Sequence, residues 1–365
     1  MIRVLLYCLP VFVIIGLGNC GILGGDDKEK PIVWEEEDIN DYVIYAHSYV
    51  SDYLYIIDPS HGEYEIKNDF ESIYSITSNA NGSILYVSTG DENLTVENGN
   101  IYEVNTNNWE STVIYDRPVE FIHSSRKDIY FVTKAKLDTG RFADFLPERI
   151  LGKINVEDGK VSELGSIKMA AANFHDYKAI QIHPNLPIAY LISNEIQLIE
   201  YNFESQQSRA LIGGKSVSNH PNFTLSPNGR YMFFVGGPVY DTVREEIVGD
   251  TKVFKWGHAA VRSDNKEVYI TDNGDLGIYN RPEIQNVNIY SLQSDSIIDT
   301  INVGGITGSI FLTPKERYAV LNKRDIELVI IDLKERKIEA QYDFTNEFTL
   351  TNIDRIYIST KQGEK

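Results

Sequence analysis

The sequence predicts an all-β fold: a seven-bladed β-propeller of four-stranded antiparallel blades, its first blade closed by the C-terminal strand. Three observations predict it. A hairpin signature recurs at Asp58, Asn105, Asn155, Asn202, Asp241, Ser291 and Asp332, at intervals of 39 to 50 residues, and repeats of that period mean stacked modules. In nearly every copy an apolar residue precedes the polar one, and about five turn-forming or charged residues lead to a second β-type run. Between the copies lies a strand-turn-strand piece, clearest from Asn222 to Phe234, whose turn is Ser226-Pro227-Asn228-Gly229. Helical periodicity is nearly absent, and the stretches 141–146 and 167–173 read as at most single turns in loops.

Taken in order, residues 1–19 read as a leader. Arg3 is followed by an apolar run from Val4 to Leu17, which fits the core of a secretion signal and falls short of the ~20 residues that span a bilayer. Leu17-Gly18-Asn19-Cys20 resembles the lipobox of bacterial lipoproteins, with Asn19 a departure from the usual small residue. That resemblance implies a diacylated Cys20 as the new N-terminus; the alternative is an ordinary secretion signal with a chance cysteine. Gly21 resembles the pattern that lets lipoproteins proceed to the outer membrane. The expected location is therefore the bacterial envelope, as an outer-membrane lipoprotein with a periplasmic or surface-exposed body. Residues 20–39 form a tether, and the run Asp26 to Lys30 reads as solvated linker. Only Cys8 and Cys20 exist, so once the leader is gone no internal disulfide holds the fold.

Residues 40–361 are the propeller and 362–365 a tail. Relatives of the Asn222 to Phe234 piece run from Ile180 to Leu191, Ala259 to Ile270, Ile310 to Leu321 and, more loosely, Ile76 to Val87. Joined with the hairpins they give four strands per unit: a and b linked by the Pro/Asn/Gly turn, c and d by the Asp/Asn hairpin. A sheet of four short strands cannot cover both its faces alone, and stacking it between two neighbours solves that. The first hairpin has an upstream strand at Tyr42 to His47 but no inner strand, and the C-terminus supplies one. After the seventh hairpin, 348–352 and 355–359 read as another strand pair. Because 42–47 and 355–359 both look like strand b, an eighth partial blade is the alternative.

Val268-Tyr269-Ile270-Thr271-Asp272-Asn273, with Tyr86-Val87-Ser88-Thr89 and Tyr130-Phe131-Val132-Thr133, resembles the Tyr-Val-Thr-Asn repeat of bacterial seven-bladed propellers. The resemblance covers about residues 40 to 360. It implies the fold and leaves the function open, since such families hold binding surfaces, lactonases and cofactor enzymes alike.

The formal net charge is −19. Such a chain repels phosphate backbones, so nucleic acid is not an expected partner. Three b-to-c connections are long, 90–100, 134–150 and 272–287, in blades two, three and six, and long connections in compact domains are often functional. The candidate ligand or partner residues on or near them are Arg141, Phe142, Tyr240, Trp256, His258, Tyr279 and Arg281, because aromatic and Arg side chains supply binding hot spots. Phe142 and Phe145 have the alternative role of tacking their loop to the blade. His175, His220 and His258 precede inner strands by different offsets, so they sit at different heights and no shared metal is expected. No calcium loop, phosphate loop or nucleophile elbow is present, and no cofactor is expected.

The expected role is a non-catalytic binding or interaction module, taking a protein or saccharide over its long-loop face and meeting the membrane through its lipid anchor only. The alternative is an enzyme, a lactonase-like hydrolase or cofactor-assisted oxidoreductase centred in the funnel on residues such as Glu120, Asn222 and His258.

Overall fold

The computed structural model describes residues 32–47, 52–90, 99–124, 128–133, 148–168, 180–192, 198–211, 223–234, 237–250, 258–271, 286–305, 307–323, 327–344 and 355–361. They form seven four-stranded antiparallel sheets. In blade one, β28 (Arg355–Thr360) is innermost, followed outward by β1 (Tyr42–His47), β2 (Leu54–Asp58) and β3 (Glu63–Lys67). Blade two holds β4 (Ile73–Ser78), β5 (Ile84–Thr89), β6 (Ile101–Asn105) and β7 (Ser111–Tyr115). Blade three holds β8 (Val119–Ser124), β9 (Asp128–Thr133), β10 (Glu148–Asn155) and β11 (Val161–Lys168). Blade four holds β12 (Ile180–Ile182), β13 (Ile188–Ile192), β14 (Leu198–Asn202) and β15 (Gln207–Ala210). Blade five holds β16 (Phe223–Leu225), β17 (Tyr231–Phe234), β18 (Pro238–Asp241) and β19 (Glu246–Asp250). Blade six holds β20 (Ala259–Val261), β21 (Glu267–Thr271), β22 (Asn286–Ser291) and β23 (Ser296–Asn302), and blade seven β24 (Thr307–Leu312), β25 (Tyr318–Lys323), β26 (Glu327–Asp332) and β27 (Lys337–Asp343). β11 takes in Ile167 and Lys168, which read as a loop turn in the sequence; 141–146 and the rest of that second stretch lie outside the described residues.

The hairpin signature has a local cause. Each of its seven polar residues is the last of a c strand. Asp58, Asn105, Asn155, Asn202 and Asp241 accept the backbone N–H two residues on, at 2.8–3.0 Å, while Ser291 and Asp332 accept the one three residues on. Four residues after each stands a left-handed residue: Gly62, Trp109, Gly159, Gln206, Glu245, Asp295 and Arg336, with φ between 51° and 66°. A side-chain acceptor that mimics a backbone turn, followed by one αL residue, reverses the chain into strand d.

The core is divided into seven apolar clusters, one between each pair of neighbouring blades. Ring closure is visible in the cluster that joins Ile44, Tyr55 and Ile356 of blade one to Val320, Ile330 and Phe344 of blade seven. β28 pairs with all six residues of β1, from Tyr42↔Thr360 to His47↔Arg355. Residues 355–360 are thus strand a of blade one, not a second strand b, and among the described residues there is no eighth blade. The seam is fastened by Lys361, whose amide donates to Asp41 O at 2.7 Å and whose Nζ pairs with Asp58 at 2.6 Å. Burial opposes ionisation of Asp58, but hydrogen bonds from Lys361, Ser60 and His61 outweigh it and hold the carboxyl well below its usual range.

Ahead of β1 the chain crosses the a–b turns of blades six and seven. Trp34 lies over the Arg262 guanidinium at 4.3 Å. Glu37, 5% exposed, accepts from Tyr42 Oη, Thr313 Oγ1 and the amides of Lys315 and Arg317. Three of those donors belong to the turn that follows β24 and the fourth opens β1, so a buried carboxylate is matched by hydrogen bonds on both oxygens. The sequence placed these residues at the end of the tether, 20–39; Trp34 and Glu37 pack on the a–b turns of blades six and seven.

Candidate functional site

Every inner strand runs from the face bearing the b–c and d–a connections (the loop face) to the face bearing the a–b turns and hairpins (the turn face). Seven such strands surround a channel cavity of about 640 Å³, lined by residues of all seven blades. That size lies within the range of small-molecule sites. Its walls are mostly apolar: Ile76, Ile122, Leu225, Ala259, Ala260, Val261, Ile310, Leu312, Ile356 and Ile358. Polar groups at the loop face are His47, which ends β1, Tyr74 and Ser75 early in β4, His258 before β20, Ser309 after Gly308 in β24, and Arg355, which opens β28; Thr77, Gln181 and Thr224 lie along the walls, and Thr313 and Glu316 at the turn-face end.

These positions are set by the backbone. The Thr271 hydroxyl accepts the His258 amide at 3.0 Å and donates to Gly308 O at 2.7 Å, tying blade six to blade seven at the mouth. Within blade seven a Cβ on Gly308 would lie 2.3 Å from Oδ1 of the buried Asn322 in β25, so glycine here leaves room for that side chain. Ser309 Oγ lies 3.5 Å from His258 Nδ1. At Arg355 the register pairs the residue with His47 across β28 and β1, and all three guanidinium nitrogens are shielded from solvent. At the turn-face end, Glu316 accepts from the Ser263 amide and hydroxyl at 2.8 and 3.0 Å; burial raises its pKa, with the Ser263 bonds opposing.

Of the residues singled out from sequence, His258 is at this mouth. Tyr240 is not: it is fully buried in the cluster between blades four and five, with Phe223, Met232 and Phe234, and burial pushes its hydroxyl up to about 12. Strand β18 is covered on both faces, so a sequence position beside a turn became a core position. Arg141, Phe142, Phe145, Trp256, Tyr279, Arg281, Cys20, His175, His220 and Asn222 lie outside the described residues, as do most of the three long connections. Glu120 is in β8, but its side chain is not described. His183, in the a–b turn of blade four, is a structural histidine: Nδ1 accepts the amides of Asn185 and Leu186 at 3.1 Å, and burial lowers its pKa against the pull of Glu200. Sequence reasoning missed His47, Tyr74, Ser309 and Arg355. The signal available was their shared height, one to three residues from the loop-face ends of inner or adjacent strands.

A second hollow, about 570 Å³, opens at the turn face beside Ser78, Asn79, Asp128, Asn155, Ser359 and Thr360. Its side chains serve the fold: Asn79 holds Ser83 and the Ile84 amide, Asn155 its own hairpin, Asp128 Lys153. Among the described residues no group of acids, histidines or cysteines is placed to hold a metal, and no helix is long and apolar enough to cross a membrane.

No family model matches this chain, and no curated protein matches it in sequence. Its likeness is to solved structures. A chain described as dihydro-heme d1 dehydrogenase NirN in complex with DHE is 13% identical, with a TM-score of 0.50, over 88% of this chain and 76% of that one. A functionally unknown protein from Desulfotomaculum acetoxidans DSM 771 is 12% identical, with a TM-score of 0.60, over 88% of this chain and 99% of that one. Likeness at this identity shows the propeller fold alone.

Proposed function

We propose that this chain is a non-catalytic binding module of the bacterial envelope, anchored through Cys20, that receives its ligand in the central channel from the long-loop face. The observation that carries this reading is the cavity: mostly apolar walls from seven blades interrupted by a few polar groups, six of them at the loop-face mouth, the composition of a binding pocket. Strands β5, β9 and β21, from which the long connections of blades two, three and six depart, end at that same face.

The test is a channel-filling variant. Gln181, half-buried on the inner strand β12, lines the cavity and belongs to none of the apolar clusters; Gln181→Trp narrows the lumen there, and native mass spectrometry of protein purified gently from its own host reads bound small molecules. The expected result is a retained adduct in the natural chain that is lost in the variant, with cooperative unfolding preserved. An adduct that survives Gln181→Trp refutes the channel as the site.

A second reading, a hydrolase, is favoured by the approach of Ser309 to His258. A nucleophile and a base within reach is the minimum for acyl transfer, although 3.5 Å is longer than a firm hydrogen bond. Labelling with a fluorophosphonate decides it: a covalent adduct on Ser309 would establish the enzyme, and an unlabelled Ser309 leaves the binding module.

A further inference from the structure

We propose that the channel takes an uncharged, mostly apolar ligand bearing a carboxamide, held at a belt formed by Thr77, Gln181 and Thr224. This rests on the binding reading above and adds the chemistry of the ligand. The belt follows from register. Thr77 in β4, Gln181 in β12 and Thr224 in β16 pair with Tyr86, Tyr190 and Phe233 of the neighbouring b strands. Each stands two residues before the one whose amide closes the a–b turn, namely Asn79, His183 and Ser226. All three line the cavity, so two hydroxyls and a carboxamide share one height in blades two, four and five. Ala260 and Phe311 hold the same rank in blades six and seven and give that level an apolar side.

The walls select for a neutral molecule. Among the described residues that line the cavity, the only Lys, Arg, Asp or Glu are Arg355 and Glu316. The guanidinium nitrogens of Arg355 present no accessible surface, and Glu316 is buried with both oxygens bonded to Ser263. An ion at the belt would therefore lose hydration without meeting a counter-charge. Gln181 supplies the complementary signal. Its side chain is half-buried and bonded to none of the described residues, although a carboxamide carries two donors and an acceptor. A carboxamide on the ligand answers both functions, its C=O accepting from Gln181 Nε2 and its N–H donating to Oε1. One such group suits a belt set among aliphatic neighbours such as Ile76 and Leu225, whereas the many hydroxyls of a sugar would stay unmatched there. The belt lies two residues deeper than Ser309, roughly 6.6 Å along a strand, so the bound amide is outside bonding reach of that hydroxyl and is released intact.

The experiment is isothermal titration of the purified full chain with octanamide, methyl heptanoate, octanoate and octylammonium. The ester matches octanamide in heavy atoms and lacks its N–H. Octanamide is expected to bind about 10-fold more tightly than the ester, because the ester leaves Gln181 Oε1 desolvated and unpaired, and both ions more weakly than octanamide. Gln181→Leu is expected to bring octanamide down to the affinity of the ester while ester binding stays within about twofold. Gln181→Glu keeps the shape of the side chain and should move the preference from octanamide to octylammonium. Equal binding of octanamide and the ester in the natural chain, or tightest binding of octanoate, would overturn the carboxamide. A preference for octanamide that survives both variants would overturn the role of Gln181. Binding of none of the four would overturn the neutral ligand, and the Gln181→Trp experiment would then decide separately whether the channel binds anything.

Discussion

Two glycines with nearly the same backbone test how the ring is closed. Gly62 has φ +66° and Gly82 φ +70°, so alanine at either faces a similar left-handed cost of ~1–2 kcal/mol. The stiffer unfolded chain returns about 0.4–1 kcal/mol of that. At Gly62 nothing lies within 4 Å of the new methyl, and the net loss should be about 1 kcal/mol. At Gly82 the methyl would lie 2.2 Å from Thr360 O and 2.7 Å from Ser359 Oγ. Backbone at that distance cannot turn aside, so the end of β28 must move by more than an ångström. Such overpacking costs about 1–3 kcal/mol, and the bonds of Ser359 to Ser78 and of Lys361 to Asp41 are then strained or lost. Each is worth about 1 kcal/mol net. Gly82→Ala should therefore lose roughly 3–5 kcal/mol in all. Thermal unfolding would show a Tm drop of about 2 °C for Gly62→Ala and about 6–10 °C for Gly82→Ala, at ~2 °C per kcal/mol for a large domain. Hydrogen exchange should quicken across 355–360 only in the second variant. Equal losses, or normal protection of β28 in Gly82→Ala, would refute the view that the C-terminal strand is clamped over the blade-two turn.

Glu37→Ala leaves the Thr313 hydroxyl and the Lys315 and Arg317 amides without their carboxylate and should lose about 2–4 kcal/mol, read by urea unfolding; a loss below about 0.5 kcal/mol, the ordinary surface value, would show that the N-terminal strap is incidental. His183 has a folded pKa below its free value of 6.5, so the unfolded chain protonates first. Its contribution is complete above 6.5 and declines as pH falls through the folded value; His183→Gln should flatten that part of the stability profile, and an unchanged slope would mean the ring is not buried in solution. Asp58 is likewise depressed, so its contribution is present above its free value of 3.8 and lost at lower pH. Lys361→Met should remove part of that acid-side slope, measured by unfolding at a series of pH values, and an identical slope would exclude the Lys361 clasp.

The hairpins were legible because their chemistry is local. An Asp, Asn or Ser that turns back on its own backbone needs no distant partner, and all seven stand at the ends of c strands. The closure was legible in outline, from a first blade lacking an inner strand and a C-terminal segment lacking a hairpin. Its register was not, since 42–47 and 355–360 have the same β character and only their pairing distinguishes strand a from strand b.

By itself the sequence determined the repeat, the number of blades and the polarity of the chain, because turn residues and β-type runs act over a few neighbours. Only the tertiary structure decided which residues meet. Blades are covered on both faces, so Tyr240 in the core and Arg355 at the channel mouth carry no periodic mark that separates them. His47, His258, Ser309 and Arg355 come from three blades and share a site because the ring brings their strand ends to one height.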